Sequence, residues 1–117
     1  MSETCVFCKI AKGEIPSQIV YEDDRVVAFY DINPQTPVHV LVIPRHHYAS
    51  LDSFTLDDRD MAGYLLERTA HVARELGLVE NGYRVSTNVG AFGGQEVFHI
   101  HVHILGGRPI GPLASRR

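Results

Sequence analysis

Short apolar runs separated by turn residues fill most of the chain, and one longer stretch repeats on a helical period. Val6 to Lys12 reads as a short helix, with Gly13 just past its end and Ile15-Pro16 leading away. Gln18 to Glu22 and Arg25 to Ile32 read as strands flanking the acidic turn Glu22-Asp23-Asp24. NPQTP, Asn33 to Pro37, is a loop, because its prolines break a regular ladder. Val38 to Ile43 is β-branched and apolar, and Pro44 ends it. From 55 to 77 the pattern predicts the long helix. Thr55 caps it, and Asp57, Asp58 and Asp60 suit its positive end. Met61, Leu65, Leu66, Thr69, Val72, Ala73 and Leu76 recur on its inner face, and Gly77 stops it. Asn81-Gly82 turns into a strand from Tyr83 to Asn88. The loop Gly90 to Gly94 leads to a last strand, about Glu96 to Leu105, closed by Gly106-Gly107 and Pro109.

Short connections between most strands favour antiparallel pairing. The order is not an alternating β-α series, so the expected class is α+β: an antiparallel sheet of about five strands, the long helix on one face and a short N-terminal helix. No repeat or linker interrupts residues 1–117, which read as one domain.

Residues 98 to 105 read FHIHVHIL. Side chains on a strand alternate between faces, so His99, His101 and His103 share one face at about 6.6 Å spacing. Ile100, Val102, Ile104 and Phe98 take the other and bury against the helix. One strand thus serves the core and presents three imidazoles. Two chemistries suit them. Alternate histidines can reach one metal ion. Neutral imidazole is also a nucleophile toward phosphorus, and its N–H donates to phosphoryl oxygens. The glycine loop favours phosphate, because backbone N–H groups in such loops cradle its oxygens. Asn88 and Gln95 add polar contacts.

Composition narrows the partners. Hydrophobic residues make up 44% and charged residues 21%, ordinary for a globular protein. The formal net charge is -3 and no stretch is strongly basic, which argues against a dedicated nucleic-acid binder. No apolar run approaches the roughly 20 residues needed to cross a bilayer. The opening MSETCVFCKIAKGE lacks a basic segment followed by an apolar one, so a cytoplasmic protein is expected. The 2 cysteines cannot build a disulfide framework. Cys5-x2-Cys8 has zinc-knuckle spacing, but a structural zinc site needs four ligands. No second such pair exists, and His47 and His99 are the natural candidates to complete it. The competing reading is two small side chains packed inertly on a short helix.

HIHVHIL, His99 to Leu105, resembles the signature of the histidine-triad family of nucleotide-binding proteins. The likeness extends over CVFCKIAKGEIPSQIVYEDD, AFYDINPQTPVHVLVIPRHH and GGQEVFHIHVHILGGRP, nearly the whole chain. It is closest to the bacterial-type branch that hydrolyses nucleoside phosphoramidates, and less close to the dinucleoside-polyphosphate hydrolases. The resemblance implies that His101 attacks the α-phosphate of a nucleoside 5′-phosphoramidate and forms a covalent nucleotidyl-histidine. It implies that His103 binds the phosphate or assists at the leaving group. It pairs His99 in a hydrogen-bond relay with His47, in IPRHH. Asn88, Gly94 and the Val97 backbone match phosphate contacts, and Asp31 in FYDI matches the carboxylate that holds ribose. Phe7, Ile10 and Ile32 match the slot for a purine base.

Glu96 stands where many animal members carry serine, which changes how a leaving amine is handled. The tail LASRR lacks the aromatic residue that some relatives use to shape the partner's site. His39 reads as structural, and His46 and His71 as solvent-facing. No cofactor is required for the implied catalysis, a structural zinc is compatible with it, and a homodimer is expected because the open sheet has edges to cover. Two other functions compete: a nucleotide sensor or scaffold with negligible turnover, and a structural metalloprotein. Zinc and the His47–His99 relay also compete for the same ring nitrogens.

Overall fold

A computed structural model describes residues 4–114. Residues 1–3 and 115–117, which include parts of the opening and of the LASRR tail discussed above, lie outside it. The chain order is α1 (Val6–Ala11), β1 (Ile19–Glu22), β2 (Val26–Tyr30), β3 (Val38–Pro44), two 3-10 turns (Leu51–Ser53 and Leu56–Asp58), α2 (Arg59–Glu75), β4 (Arg84–Ser86) and β5 (Val102–Gly106). The five strands form one antiparallel sheet in the order β1-β2-β3-β5-β4.

Strand alternation gives the sheet two covered faces. Val26, Ala28, Val40, Val42, Val102 and Ile104 point to one and pack against Leu65, Val72 and Ala73 of α2. Val27, Phe29, Leu41 and Ile43 point to the other and pack under Phe7 and Ala11 of α1. β2 and β3 are therefore buried nearly throughout, which is why they read as continuous apolar runs. Each fully buried aliphatic contributes roughly 1.5–3 kcal/mol. His103 pairs with Leu41 across the β3–β5 ladder, so its ring shares the α1 face.

The long helix starts later than the pattern suggests. Thr55 caps a 3-10 turn instead. Its hydroxyl accepts from the Asp57 N–H at 3.3 Å, and Asp58 returns a bond to the Thr55 N–H at 2.9 Å. Leu66, expected inside, is 61% exposed. Gly77 ends the helix with φ at 73°, the left-handed conformation that favours glycine.

The last strand is shorter than expected, beginning at Val102 and not at Glu96. Continuing the ladder would set Pro44, which has no N–H, beside Ile100. The Pro44 carbonyl instead meets Nε2 of His99 at 2.8 Å, and the Ile100 N–H donates to the Tyr48 carbonyl at 2.7 Å. β4 likewise stops at Ser86, where the Thr87 hydroxyl takes over and donates to the His101 carbonyl at 2.8 Å. His99 and His101 thus sit on an irregular approach to β5, and Phe98, expected in the core, is 56% exposed. Ile100 keeps its predicted place in the core.

Candidate active site

Each histidine of the triplet is fixed by a different partner. Nδ1 of His101 lies 2.8 Å from the His99 carbonyl. A carbonyl only accepts, so Nδ1 carries the proton and the neutral ring has its lone pair on Nε2. Phe7 packs edge-on against this ring, centroids 5.1 Å apart, and against His99 at 6.0 Å. His101 and His103 are neighbours, with ring centroids 5.0 Å apart.

His99 is fully buried. Its Nε2–H donates to the Pro44 carbonyl, which leaves the Nδ1 lone pair facing Cys5 Sγ at 3.4 Å and Cys8 Sγ at 3.5 Å. Burial pushes its pKa down to about 4, against the bond to Pro44, so the ring is neutral near pH 7. His47 turns Nδ1 toward Cys8 Sγ at 3.3 Å, and burial also lowers its pKa. The His47 and His99 rings stand perpendicular with centroids 4.9 Å apart. Both address the sulfurs instead of bonding to each other.

Donor atoms of Cys5, Cys8, His47 and His99 all lie within 4.8 Å of one another. A tetrahedral zinc with ~2.3 Å sulfur and ~2.0 Å nitrogen bonds needs sulfur–nitrogen edges of about 3.5 Å. The three such separations above meet that, and the Pro44 carbonyl orients His99 from behind as an outer partner does for a metal-bound histidine. The donor set fits zinc. Cys5 and Cys8 come together because they occupy the cap and third position of α1, where the Cys8 N–H donates to Cys5 Sγ at 3.3 Å.

Asp31, His39 and His103 form a second cluster. Nε2 of His39 is 2.9 Å from Nδ1 of His103 and 3.4 Å from the Asp31 carboxylate. The shorter distance is a hydrogen bond, below the roughly 3.3 Å nitrogen–nitrogen edge of a tetrahedral metal. The imidazole bonded to a triad ring is therefore His39, which the strand pattern marked only as structural. Its place in the alternation, on the Leu41 side of β3, was the available signal. Burial lowers the pKa of His39, partly opposed by Asp31, and takes His103 down to about 4.

The remaining candidates divide. Asp31 spends one oxygen on the Asn33 N–H at 2.8 Å and turns the other toward His39. Ile32 is 99% exposed, whereas Phe7 is buried and Ile10 and Val97 pack beside it. Gln95 is buried and committed internally. Its amide joins the Gly90 N–H at 2.9 Å, the Ala49 carbonyl at 2.7 Å and the Val97 carbonyl at 3.1 Å. It staples the glycine loop in place of offering a contact to solvent. Gly94 and Glu96 are exposed, and Asn88 is half-buried. His46 is exposed as expected, but His71 is half-buried against Tyr21, centroids 5.3 Å apart.

Residues 12–110 match the HIT domain. The chain belongs to the histidine-triad family. Purine nucleoside phosphoramidase of Escherichia coli K12 is 44% identical over 117 residues, covering 100% of this chain and 98% of that protein. Among solved structures, a histidine triad protein from Clostridium difficile is 46% identical with a TM-score of 0.93, covering 97% and 99% of the two chains. A HIT family hydrolase from Legionella pneumophila is 48% identical with a TM-score of 0.90, covering 92% and 96%. The family fold is thus present over nearly the whole chain. No helix among the described residues is long and apolar enough to cross a membrane.

Proposed function

We propose that this protein hydrolyses purine nucleoside 5′-phosphoramidates, with His101 as the nucleophile. The hydrogen bond from His101 Nδ1 to the His99 carbonyl carries the reading, because it holds the Nε2 lone pair ready. The named activity of the Escherichia coli relative supports the substrate class. Nε2 of His101 forms a bond to the α-phosphorus as the phosphorus–nitrogen bond breaks. The departing nitrogen keeps the bonding pair and takes a proton from water. A second water then attacks the nucleotidyl-histidine, releases the nucleoside monophosphate and a proton, and returns His101 to its starting form. Asp31 holds the ribose hydroxyls, and Ile32 beside it meets the base with Phe7 and Ile10 behind. Asn88, Gly94 and the Val97 backbone contact the phosphate, Gln95 supports their loop, and Glu96 faces the leaving amine.

Cys5, Cys8, His47 and His99 hold a structural zinc that cross-links α1 to the segment before β5. It supplies no catalytic step. A cytoplasmic setting, where thiols stay reduced, suits that site. A homodimer is supported by the β4 edge of the sheet and an apolar cleft of about 180 Å³ beside it, lined by Leu51, Phe54, Leu66, Val85 and Ile100. Leu66 and Leu51 are 61% and 50% exposed, large for aliphatic side chains without a covering partner.

The test is mass spectrometry after brief mixing with adenosine 5′-phosphoramidate and a quench that avoids acid, which cleaves phosphohistidine. A nucleotidyl adduct is expected on the wild type and none on His101→Ala. A wild type that binds nucleotide but yields neither adduct nor monophosphate is a sensor or scaffold, and the enzyme reading fails.

A further inference from the structure

The chain's 2 cysteines stand three positions apart and meet at one nitrogen. Sγ of Cys5 is 3.4 Å and Sγ of Cys8 3.5 Å from Nδ1 of His99, so both side chains reach the same point from one side of α1. The two sulfurs themselves lie within 4.8 Å of each other. The backbone sets this arrangement. Cys5 is the extended cap of α1, with φ at −76° and ψ at 116°, and the Cys8 N–H donates to its sulfur at 3.3 Å. Residues three apart on a helical path have Cα atoms about 5 Å apart. That is inside the roughly 4.4–6.8 Å span of disulfides, so an S–S bond forms by rotating side chains without moving the backbone.

Access to the two sulfurs is unequal. Cys5 is half-buried, whereas Cys8 is buried. An oxidant from solvent therefore meets Cys5 first, with Cys8 behind it as the one other thiol in the chain. A disulfide takes two of the four donors and both thiolate charges out of the cluster, and two imidazoles alone hold zinc weakly. His99 feels that loss most. Its ring is fully buried with Nε2–H fixed on the Pro44 carbonyl, so Nδ1 is left facing sulfurs that carry neither charge nor proton. A buried acceptor without a partner is costly, so the ring shifts, and with it the carbonyl that holds Nδ1 of His101 at 2.8 Å.

We propose that Cys5 and Cys8 are a two-electron oxidation site, at which hydrogen peroxide converts the metal-binding pair into a disulfide, expels the zinc and slows chemistry at His101. The metal release rests on the zinc site proposed above and the slowing on His101 as nucleophile; the disulfide rests on neither. Sγ of Cys5 attacks one peroxide oxygen, the O–O bond breaks, and the departing oxygen takes a proton from solvent and leaves as water. Sγ of Cys8 then attacks Sγ of Cys5, the S–O bond breaks, and the second oxygen leaves as water with another solvent proton. The two thiolates lose two electrons and one peroxide becomes two waters. Where thiols are kept reduced, such a disulfide is transient, and small thiols reverse it by exchange.

The test treats the full chain, as purified, with excess hydrogen peroxide, then alkylates the remaining thiols and digests with trypsin. Both cysteines fall in one peptide, Met1 to Lys9. That peptide is expected to be unalkylated and about 2 Da lighter than its reduced form. A chromophoric chelator in a parallel sample should read about one zinc released per chain in step with the mass change. Adduct formation from adenosine 5′-phosphoramidate should fall on the order of tenfold. Dithiothreitol with added zinc should restore thiols, metal and rate together, which oxidised methionine would not allow. Two alkylated cysteines after peroxide, a peptide about 32 Da heavier from sulfinic acid, or a disulfide joining two chains overturns the proposal. Protein isolated without zinc marks failure of the metal site alone, because the lighter peptide still reports the disulfide. Failure of the His101 reading shows separately, as a missing adduct on the reduced protein.

Discussion

Asp23→Asn removes one charge from the joint between the β1–β2 turn and α2. One oxygen of Asp23 accepts from the Arg25 and Val26 backbone N–H groups, each at 2.8 Å. The other accepts from the Tyr21 hydroxyl at 2.6 Å and the Tyr64 hydroxyl at 2.5 Å. Burial alone would raise the carboxyl pKa, but these four bonds outweigh it and bring the value from 3.8 to about 2. The difference, 3.8 − 2 = 1.8, corresponds to roughly 2.4 kcal/mol at 1.36 kcal/mol for each unit. Asp23 is partly exposed, so solvent screening trims this to about 1–2 kcal/mol. Because the folded value is depressed, the native state binds fewer protons. The stabilisation is present above about pH 4 and is lost as pH falls through about 2. The amide also presents N–H groups to two hydroxyls that now donate. Urea unfolding should therefore show the variant about 1–2 kcal/mol less stable at pH 7, with the gap closing to a few tenths near pH 2 and an unchanged m-value. A gap that stays constant from pH 7 to pH 2 would refute the electrostatic account. Nucleotide turnover at pH 7 should be unchanged, since Tyr64 places this joint on the α2 side, opposite the histidines.

Cys8→Ser should reduce bound zinc from about one per chain to a small fraction, measured by elemental analysis; wild-type protein never exposed to chelator and still free of zinc would sink the site. Gln95→Leu removes three hydrogen bonds from the glycine loop and should cost about 3 kcal/mol at roughly 1 kcal/mol each. KM for the phosphoramidate should rise with it, and a variant with unchanged melting and KM would contradict the staple. Leu66→Asp should convert a dimer to a monomer in light scattering, and a wild type already monomeric at micromolar concentration would remove the interface.

Much of the fold was legible because apolar periodicity is a local signal. The long helix, the two buried central strands and the α+β order all follow from spacing along the chain. Strand ends were less legible because partners set them. Nothing near Glu96 announces that the ladder stops at Val102; the cause is Pro44, some sixty positions earlier and adjacent only in the folded sheet. Leu66 and Phe98 fit an apolar pattern, yet the single chain leaves them exposed. In the site, residue type found His99, His101, His103 and the cysteine pair. It gave the relay to His47 and read His39 as structural, because nothing beside either histidine along the chain shows which one meets the triplet. Only the register puts His39 beside His103 and sends His47, past Pro44, toward the cysteines.

Three identical side chains at alternate positions do three different things because their second nitrogens differ in partner. His99 gives its N–H to the Pro44 carbonyl and keeps a lone pair for the cysteine cluster. His101 gives its N–H to the His99 carbonyl and keeps its lone pair on Nε2. His103 accepts from His39 and keeps its own proton on Nε2. These partners suit the roles proposed above, a ligand, a nucleophile and a donor, without any of the three needing a positive charge. That matters because the rings are neighbours, and a proton added to one disfavours protonation of the next. His99 also links the two clusters. Its ring faces the cysteines while its carbonyl holds His101, so any shift of α1 that moves His99 also moves His101. Phe7, on α1 between Cys5 and Cys8 and edge-on to His101, adds a second contact along the same path. Loss of the metal should therefore lower the rate of adduct formation more than the affinity for nucleoside monophosphate, because the lone-pair direction is what the rate depends on. Pre-steady-state adduct kinetics before and after chelation, beside equilibrium binding, separate the two. An equal loss in both would show that the cysteine cluster supports the pocket as a whole and not the aim of His101.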